Sequence, residues 1–349
     1  MKIPIKNLFY LLCYAWDVLD EADEVEVGTV EAPDLENLIS SVLATHLHRL
    51  LRRGLERDYQ ERREDSKYLR GRIDFQETVK RMLSRRGEAH TISDDLSPDT
   101  LANRLIKASI ASLLSFETLA NNNREELAAM HHGLRDISPM RISPADFYRV
   151  RLHRNNREYR LLLSLCEMVH RYALPTEAGR GMRFVDFARA GMWKVFQQFV
   201  TNFYRRRQSI YTVNAHQFSW HDSFPMHSEK VALPWLATDI VLSNSEQRLV
   251  IDTKYVGEPF QQWHAKSILK PTHVNQVFAY MQNIAAKDKL NRPVDGMLLY
   301  AAVSGAFSLE WHFFGRGLKA VSLDLSKDWR DIESQLLSFL PASKHSCLA

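Results

Sequence analysis

The sequence predicts a mixed α/β protein of two domains, in which a mixed central sheet carries the functional residues. Two strand-like apolar runs, residues 234–242 and 248–255, flank the polar, turn-forming residues 243–247 and so indicate a hairpin. Amphipathic segments at residues 192–206 and 272–286 predict one helix before this hairpin and one after it. Helix, strands, helix and further strands in this order predict a sheet covered by helices.

The division into domains follows from length and turn signals. A chain of 349 residues exceeds what one hydrophobic core usually organises. Ser138-Pro139 and Ser143-Pro144 mark turns, so we place the boundary near them and predict domains 1–150 and 151–349. The first domain is predicted to be α+β, with helices and some strands. A helix predicted at residues 159–172 fits two roles, the first element of the second domain or a connector.

Composition narrows the function classes. The formal net charge of +4 permits nucleic-acid binding without requiring it. Cys13, Cys166 and Cys347 lie far apart, which argues against a zinc site or a disulfide framework and fits the cytoplasm. The apolar residues 8–16 are too few to span a bilayer. No G-x-x-x-x-G-K-[ST] phosphate loop occurs, so we do not expect this chain to hydrolyse GTP itself.

Three charged residues on the predicted hairpin suggest chemistry. Asp252 and Lys254 are two apart on one strand and share a face, and Asp239 comes late in the partner strand. A buried carboxylate is costly unless it is paired or binds a cation. We therefore predict a magnesium site held by Asp239, Asp252 and the carbonyl of Thr253, with Lys254 orienting the attacking water. The alternative is an ordinary surface ion pair between Asp252 and Lys254.

These residues resemble a known signature. Asp239 followed by Ile251-Asp252-Thr253-Lys254 is similar to the PD-(D/E)xK motif of nucleases, although Thr238 stands where the motif has proline. Gln276-Val277-Phe278-Ala279-Tyr280 resembles the QxxxY motif of the RecB-like branch, and its two polar residues share a helix face. The resemblance implies that Gln276 and Tyr280 brace the scissile phosphate or the substrate strand.

The likeness to one family extends over nearly the whole chain, from Ile3 to the region of Trp329. The chain resembles the McrC family in these segments: Ile3-Pro4-Ile5-Lys6-Asn7-Leu8-Phe9-Tyr10-Leu11-Leu12, Tyr14-Ala15-Trp16, Arg53-Gly54-Leu55, Gly71-Arg72-Ile73-Asp74-Phe75 and Asp99-Thr100-Leu101-Ala102-Asn103-Arg104-Leu105-Ile106-Lys107. The resemblance implies a nuclease subunit that cuts DNA carrying modified cytosine. It also implies a hexameric AAA+ partner, McrB, which recognises the modified base, binds and hydrolyses GTP, and is stimulated by this chain. Two active sites in a larger assembly would cut both strands.

Two groups of basic residues are candidates for macromolecular contacts. Residues 55–75 are rich in charge, and composition favours a solvated loop between two strands. The functional hypothesis is a contact with the AAA+ partner through Arg57, Arg62, Arg63, Arg70 and Arg72. Candidates for DNA contact are the end of the 192–206 helix and the polar loop predicted at 259–270: Arg205, Arg206, Arg207, Lys266 and Lys270. The alternatives are stabilisation of the helix dipole and simple solvation.

One departure from the family pattern bears on the metal. Many relatives would carry glutamate at the position of Gln197 on the first amphipathic helix, and a neutral amide is a weaker ligand. We therefore expect one magnesium ion rather than two. Gln197 also leaves open an adaptor with a vestigial site that only activates the GTPase ring. A stand-alone RecB-like repair nuclease is a second alternative, and it would cut unmodified DNA without partner or GTP.

Overall fold

The computed structural model describes residues 3–18, 34–153, 156–175, 182–184, 191–220, 233–264, 266–302 and 305–341. The chain forms two compact units. One, here called the terminal unit, comprises Met1–Glu24 and Asp186–Ala349, and the other, the middle unit, comprises Val25–Val185. The predicted boundary at residue 150 differs from this division.

Part of the difference arises because the first helix packs with the C-terminal part of the chain. Helix α1 (Ile5–Ala15) places the Tyr14 ring 5.4 Å from that of Phe199, and Asn202 Nδ2 donates to the Tyr14 carbonyl at 2.9 Å. Asn7 Nδ2 likewise donates to the Leu325 carbonyl at 2.8 Å. Such long-range packing leaves no mark on local sequence, whereas proline turns do.

The middle unit is a helical core with a small sheet. Its first helix, α2 (Leu35–Arg53), is capped by the Asp34 carboxylate, which accepts from the Asn37 N–H at 2.9 Å. The elements that follow are β1 (Asp58–Ser66), β2 (Arg72–Ile73), α3 (Phe75–Lys80), β3 (Ala89–Ser97), α4 (Leu101–Leu114), α5 (Asn121–Gly133), α6 (Pro144–Arg149), α7 (Tyr159–Tyr172), β4 (Ala173–Pro175) and β5 (Met182–Phe184). Buried apolar residues of α2, α4 and α7 form its core.

The charged segment that composition favoured as a loop is mostly a strand. Strand β1 pairs antiparallel with β3 over nine residues, and β2 pairs on the other side of β3. Charges two residues apart share a face and neutralise one another: Arg62 Nη2 lies 2.8 Å from Glu64 Oε2, and Arg63 Nη2 lies 2.7 Å from Glu61 Oε1. A strand without an apolar face is thus held mainly by its hydrogen-bonded ladder, and its exposed ion pairs add little.

Gly71 is required where the chain turns from β1 into β2. Its φ of +70° lies in the left-handed region, and a Cβ there would meet the Ile92 carbonyl oxygen at 2.2 Å. Gly87 has a similar φ of +69°, but nothing lies within 4 Å of the position its Cβ would take. Comparing alanine variants at the two glycines therefore distinguishes the cost of backbone strain from the cost of steric overlap.

We predict that Gly71→Ala lowers the free energy of unfolding by about 2–4 kcal/mol, because left-handed strain and the clash with Ile92 add. The matched variant Gly87→Ala meets only the strain, about 1 kcal/mol. Urea unfolding followed by circular dichroism measures both. Equal losses in the two variants would show that the Ile92 contact is unimportant.

The terminal unit continues with helix α8 (Met192–Arg207) and a six-stranded sheet. Its elements are β6 (Thr212–Asn214), β7 (Gln217–Phe218), β8 (Leu236–Ala237), β9 (Ile240–Ser243), β10 (Arg248–Lys254), β11 (Phe260–Trp263), β12 (Lys266–Leu269), α9 (Pro271–Lys287), β13 (Val294–Ala302), β14 (Ser308–Phe313), β15 (Arg316–Asp324) and α10 (Trp329–Ser338). The strand order is β14-β15-β13-β10-β9-β6. The β10–β13 and β13–β15 pairs are parallel and the others antiparallel, which confirms the predicted mixed sheet.

The sheet core holds the central hairpin and the following helix together. Strands β9 and β10 form the predicted antiparallel hairpin. Helix α9 lies close against β13 at Gly296, where a Cβ would come within 2.4 Å of Met281 Sδ. Residues 260–263 and 266–269, predicted as part of a loop, instead form the two strands β11 and β12, which pair through four residue pairs. None of the helices in the described ranges has both the length and the apolar character that a bilayer crossing needs.

Candidate active site

The two predicted carboxylates lie side by side at one end of the β9–β10 hairpin. Ile240 pairs with Ile251 in the antiparallel ladder. Asp239, one residue before Ile240, therefore lies next to Asp252, one residue after Ile251. The buried run Leu249–Ile251 brings strand β10 through the core, and the polar residues begin where the apolar run ends.

Asp239 is oriented by the backbone and side chain of Thr253. Its Oδ2 accepts from the Thr253 N–H at 2.8 Å and from the Thr253 hydroxyl at 2.7 Å. No hydrogen bond to Oδ1 joins it to another described residue. One oxygen of this half-buried carboxylate is thus fixed in place, and the second remains available for a ligand.

Asp252 is a buried acid with an incompletely satisfied oxygen. The residue is 1% exposed, and its Oδ2 lies 2.7 Å from Lys254 Nζ in an ion pair without a well-directed hydrogen bond. Burial raises the pKa of Asp252 to about 6; the positive charge of Lys254 opposes this rise and the negative charge of Asp239 adds to it. A divalent cation would satisfy the oxygen and restore the charged form.

Lys254 is the start of a hydrogen-bonded chain that leads to helix α9. Its Nζ donates to Gln276 Oε1 at 2.7 Å, and Gln276 Nε2 donates to Tyr280 Oη at 2.8 Å. Tyr280 is buried, which raises the pKa of its hydroxyl. The spacing of four residues on α9 makes the second contact possible. All five residues predicted as catalytic are therefore close together. Four of them are linked one to the next by polar contacts, in the order Asp252, Lys254, Gln276, Tyr280.

His273 and Tyr300 also belong to this region, and the sequence analysis missed them. His273 Nδ1 lies 2.9 Å from Tyr300 Oη, and Tyr300 is the ladder partner of Lys254 on the parallel strand β13. Burial, followed by the positive charges of Lys254 and Lys270, lowers the pKa of His273 to about 4, so the ring is neutral at pH 7. The three-residue spacing of His273 and Gln276 on one helix was the available signal; the position of Tyr300 depends on the sheet.

The donor set fits a hard cation held by few protein ligands. Among the described residues, no group of three or more His, Cys, Asp or Glu side chains is arranged to hold a metal. Asp239 and Asp252 supply two carboxylates, and Gln197 on α8 adds none. Magnesium commonly binds through one or two carboxylates and keeps several waters, so two acids with the Thr253 carbonyl suffice.

The basic DNA-contact candidates fall into two groups. The arginines that end α8 contact their own unit: Arg206 Nε donates to Asp17 Oδ1 at 2.8 Å, and Arg207 Nε donates to Tyr14 Oη at 2.9 Å. Arg205 Nη1 donates to Asn202 Oδ1 at 3.2 Å. These contacts favour a structural role at the helix end. Lys270 immediately precedes α9 and influences His273, and Lys266 is exposed at the start of β12.

The partner-contact candidates all lie on the exposed surface of the middle unit. Arg62 and Arg63 project from β1, and Arg72 Nη2 lies 3.6 Å from Glu61 Oε2. Arg57 and Arg70 form no ion pair with the part of the chain that the structure describes. Surface ion pairs such as these contribute little to stability, so the arginines are free to exchange partners.

Comparisons with known proteins place the chain in one family. The family model described as McrBC 5-methylcytosine restriction system component matches residues 5–301. The chain is 28% identical over 337 residues to the type IV methyl-directed restriction enzyme EcoKMcrBC of Escherichia coli K12, covering 96% of both proteins. It also shares the fold of a chain in a half-complex of Thermococcus gammatolerans McrB AAA+ hexamers with bound McrC. That match has a TM-score of 0.60 and 18% identity, and it covers 97% of this chain and 76% of the other.

We predict that Asp252 makes the protein less stable as the pH rises from about 4 to about 6. Its pKa is higher in the folded than in the unfolded state, so between about pH 4 and pH 6 the folded state keeps a proton that the unfolded state has released. The stability that this proton provides is therefore lost as the pH rises through this window. The loss is about 2–3 kcal/mol at most. The free energy of unfolding is measured in urea without divalent cations for Asp252→Asn and for the wild type. The value for the variant minus that for the wild type should increase by this amount between pH 4 and pH 7. The exposed-site variant Glu258→Gln serves as the control; if its difference from the wild type changed equally, the burial of Asp252 would not be the cause.

Proposed function

Because the chain belongs to the family of McrBC 5-methylcytosine restriction system components, we propose that it is the magnesium-dependent DNA endonuclease subunit of a McrBC-like type IV restriction system. The observation that carries this proposal is the connected set of Asp239, Asp252, Lys254, Gln276 and Tyr280 at one end of β9 and β10. This observation argues against an ordinary surface ion pair, in which the carboxylate would be exposed to solvent, because Asp252 is buried and incompletely satisfied.

The chemistry is hydrolysis of a phosphodiester bond by in-line attack of water, without a covalent enzyme intermediate. Asp239, Asp252 and the Thr253 carbonyl would hold magnesium, which when bound lowers the pKa of a coordinated water and offsets charge on the phosphate. Lys254 orients the water or donates to the phosphate oxygen that gains charge. Gln276 holds the Lys254 ammonium from the other side, and Tyr280 fixes the amide of Gln276 through its hydroxyl.

The partner is inferred from the relatives. The structural neighbour is part of an assembly of McrB AAA+ hexamers with bound McrC, and the curated relative is a methyl-directed restriction enzyme. We infer that this chain binds a hexamer of a McrB-like AAA+ GTPase and stimulates its GTP hydrolysis. The partner would recognise modified cytosine in double-stranded DNA, and self-association within the full complex would pair two nuclease sites.

The test is cleavage of cytosine-methylated plasmid by the purified chain with its AAA+ partner, magnesium and GTP. We expect Asp252→Ala to reduce the cutting rate on the order of a thousandfold, because removal of a metal ligand removes about 4 kcal/mol of transition-state stabilisation. Stimulation of the partner GTPase should persist. Glu258→Ala, which removes an exposed carboxylate six residues away, should cut at the wild-type rate.

The other functions give different results in the same assay. GTPase stimulation without any cutting by the wild type would indicate the adaptor. Cutting of unmodified plasmid without partner and GTP would indicate a stand-alone nuclease. Near-normal cutting by Asp252→Ala would contradict the site assignment itself.

The charged strand of the middle unit provides a test of the partner contact. We predict that the combined change Arg62→Glu, Arg63→Glu and Arg70→Glu reduces stimulation of the partner GTPase at least tenfold, because like charges opposed at an interface cost several kcal/mol. The control is Arg85→Glu with Arg86→Glu, an exposed basic pair of the same unit. Stimulation that survives the triple change would place the contact elsewhere.

A further inference from the structure

The hairpin β11–β12 presents a tryptophan to solvent directly after the catalytic strand. Trp263 ends β11 and pairs with Lys266 at the start of β12. Its side chain is 58% exposed, although burial of a tryptophan is strongly favoured. His264 follows with a φ of +53°, so the chain reverses at this point, and its ring lies 5.3 Å from the Trp263 ring.

The base of this hairpin is anchored on the catalytic layer. The Phe260 ring lies 4.9 Å from Phe307, whose ring in turn lies 5.7 Å from Tyr300. Tyr300 is the ladder partner of Lys254. The Lys270 N–H donates to the Pro259 carbonyl at 3.2 Å and closes the hairpin just before α9 begins. Strands of four residues project roughly 13 Å from this anchored base.

The chemistry of the exposed end suits nucleic acid better than a protein surface. Residues 260–270 contain two lysines and no acidic residue. The exposed neighbours of the tryptophan are amide, hydroxyl, imidazole and ammonium groups from Gln261, Gln262, Ser267, His264 and Lys266. An apolar protein partner would need a contiguous apolar patch, whereas a nucleobase needs one aromatic face and its phosphate needs a nearby cation.

We propose that the β11–β12 hairpin engages double-stranded DNA next to the cut site, with Trp263 stacking on a displaced nucleobase and Lys266 contacting the flanking phosphate. This inference rests on the proposed nuclease function, because the DNA that the hairpin binds would be the substrate of the proposed nuclease site. Partial unstacking of a base step kinks the duplex, which would deform the DNA beside the scissile bond. The hairpin is therefore a positioning element rather than part of the reacting group.

The test measures DNA affinity without cleavage. The full-length chain is titrated in EDTA with two fluorescein-labelled duplexes of equal length, one fully paired and one with a central four-nucleotide bubble. The bubble supplies bases that are already displaced, so we expect the wild type to bind it more tightly. Trp263→Ala should weaken bubble binding about tenfold or more, while Trp263→Phe keeps an aromatic face and stays within about threefold. Trp193→Ala, which removes a tryptophan of equal 58% exposure on α8, should change nothing.

Each contrary outcome has a defined meaning. Bubble binding by Trp263→Ala that equals the wild type, or an equal loss in Trp193→Ala, overturns the inference. If Trp263→Ala binds DNA normally but no longer stimulates the partner GTPase, the inference is overturned in favour of a protein contact. A wild type that cuts DNA while Trp263→Ala binds normally refutes the hairpin but leaves the nuclease intact. A wild type that never cuts while Trp263→Ala loses bubble binding refutes the nuclease but supports the hairpin. Matched melting temperatures exclude misfolding.

Discussion

The terminal unit depends on a carboxylate that is costly to keep where it is. Asp252 stands at the end of a strand that runs through the core, and burial shifts its pKa to about 6. A single ammonium, Lys254, lies 2.7 Å from Asp252 Oδ2 and offsets only part of that cost. A fold selected for stability alone would place a neutral or apolar residue here. This cost supports the proposal that the carboxylate binds a cation.

The surrounding contacts fix the positions of the candidate ligands. Thr253 uses both its N–H and its hydroxyl to hold one oxygen of Asp239, and Gln276 and Tyr280 hold Lys254 from helix α9. That helix reaches the sheet closely only because Gly296 has no side chain. Packing deep in the core and polar contacts at the strand end are thus parts of one arrangement, since a shift of α9 would move the Gln276 amide away from the lysine.

The prediction from sequence succeeded where one local pattern decides the structure and failed where two patterns compete. Apolar runs and turn residues identified the β9–β10 hairpin. Strand β1 was missed because its composition is so highly charged. Its charges are paired only once the strand has formed and residues two apart share a face. The polar residues of β11 and β12 concealed a hairpin in the same way. His273 and Tyr300 were missed because their contact joins a helix to a strand.

By itself, the sequence determined which residues are candidates for the chemistry and in what order they come. The spacings Asp252 to Lys254 and Gln276 to Tyr280 fix shared faces through the periods of strand and helix, independently of the rest of the fold. Only the tertiary structure decided that Asp239 meets Thr253, that α1 belongs with α8, and that Arg206 and Arg207 are engaged by Asp17, Tyr14 and Glu333. Local geometry repeats over a few residues and can be read along the chain. Contacts between distant segments depend on how the apolar faces pack, which no short stretch of sequence specifies.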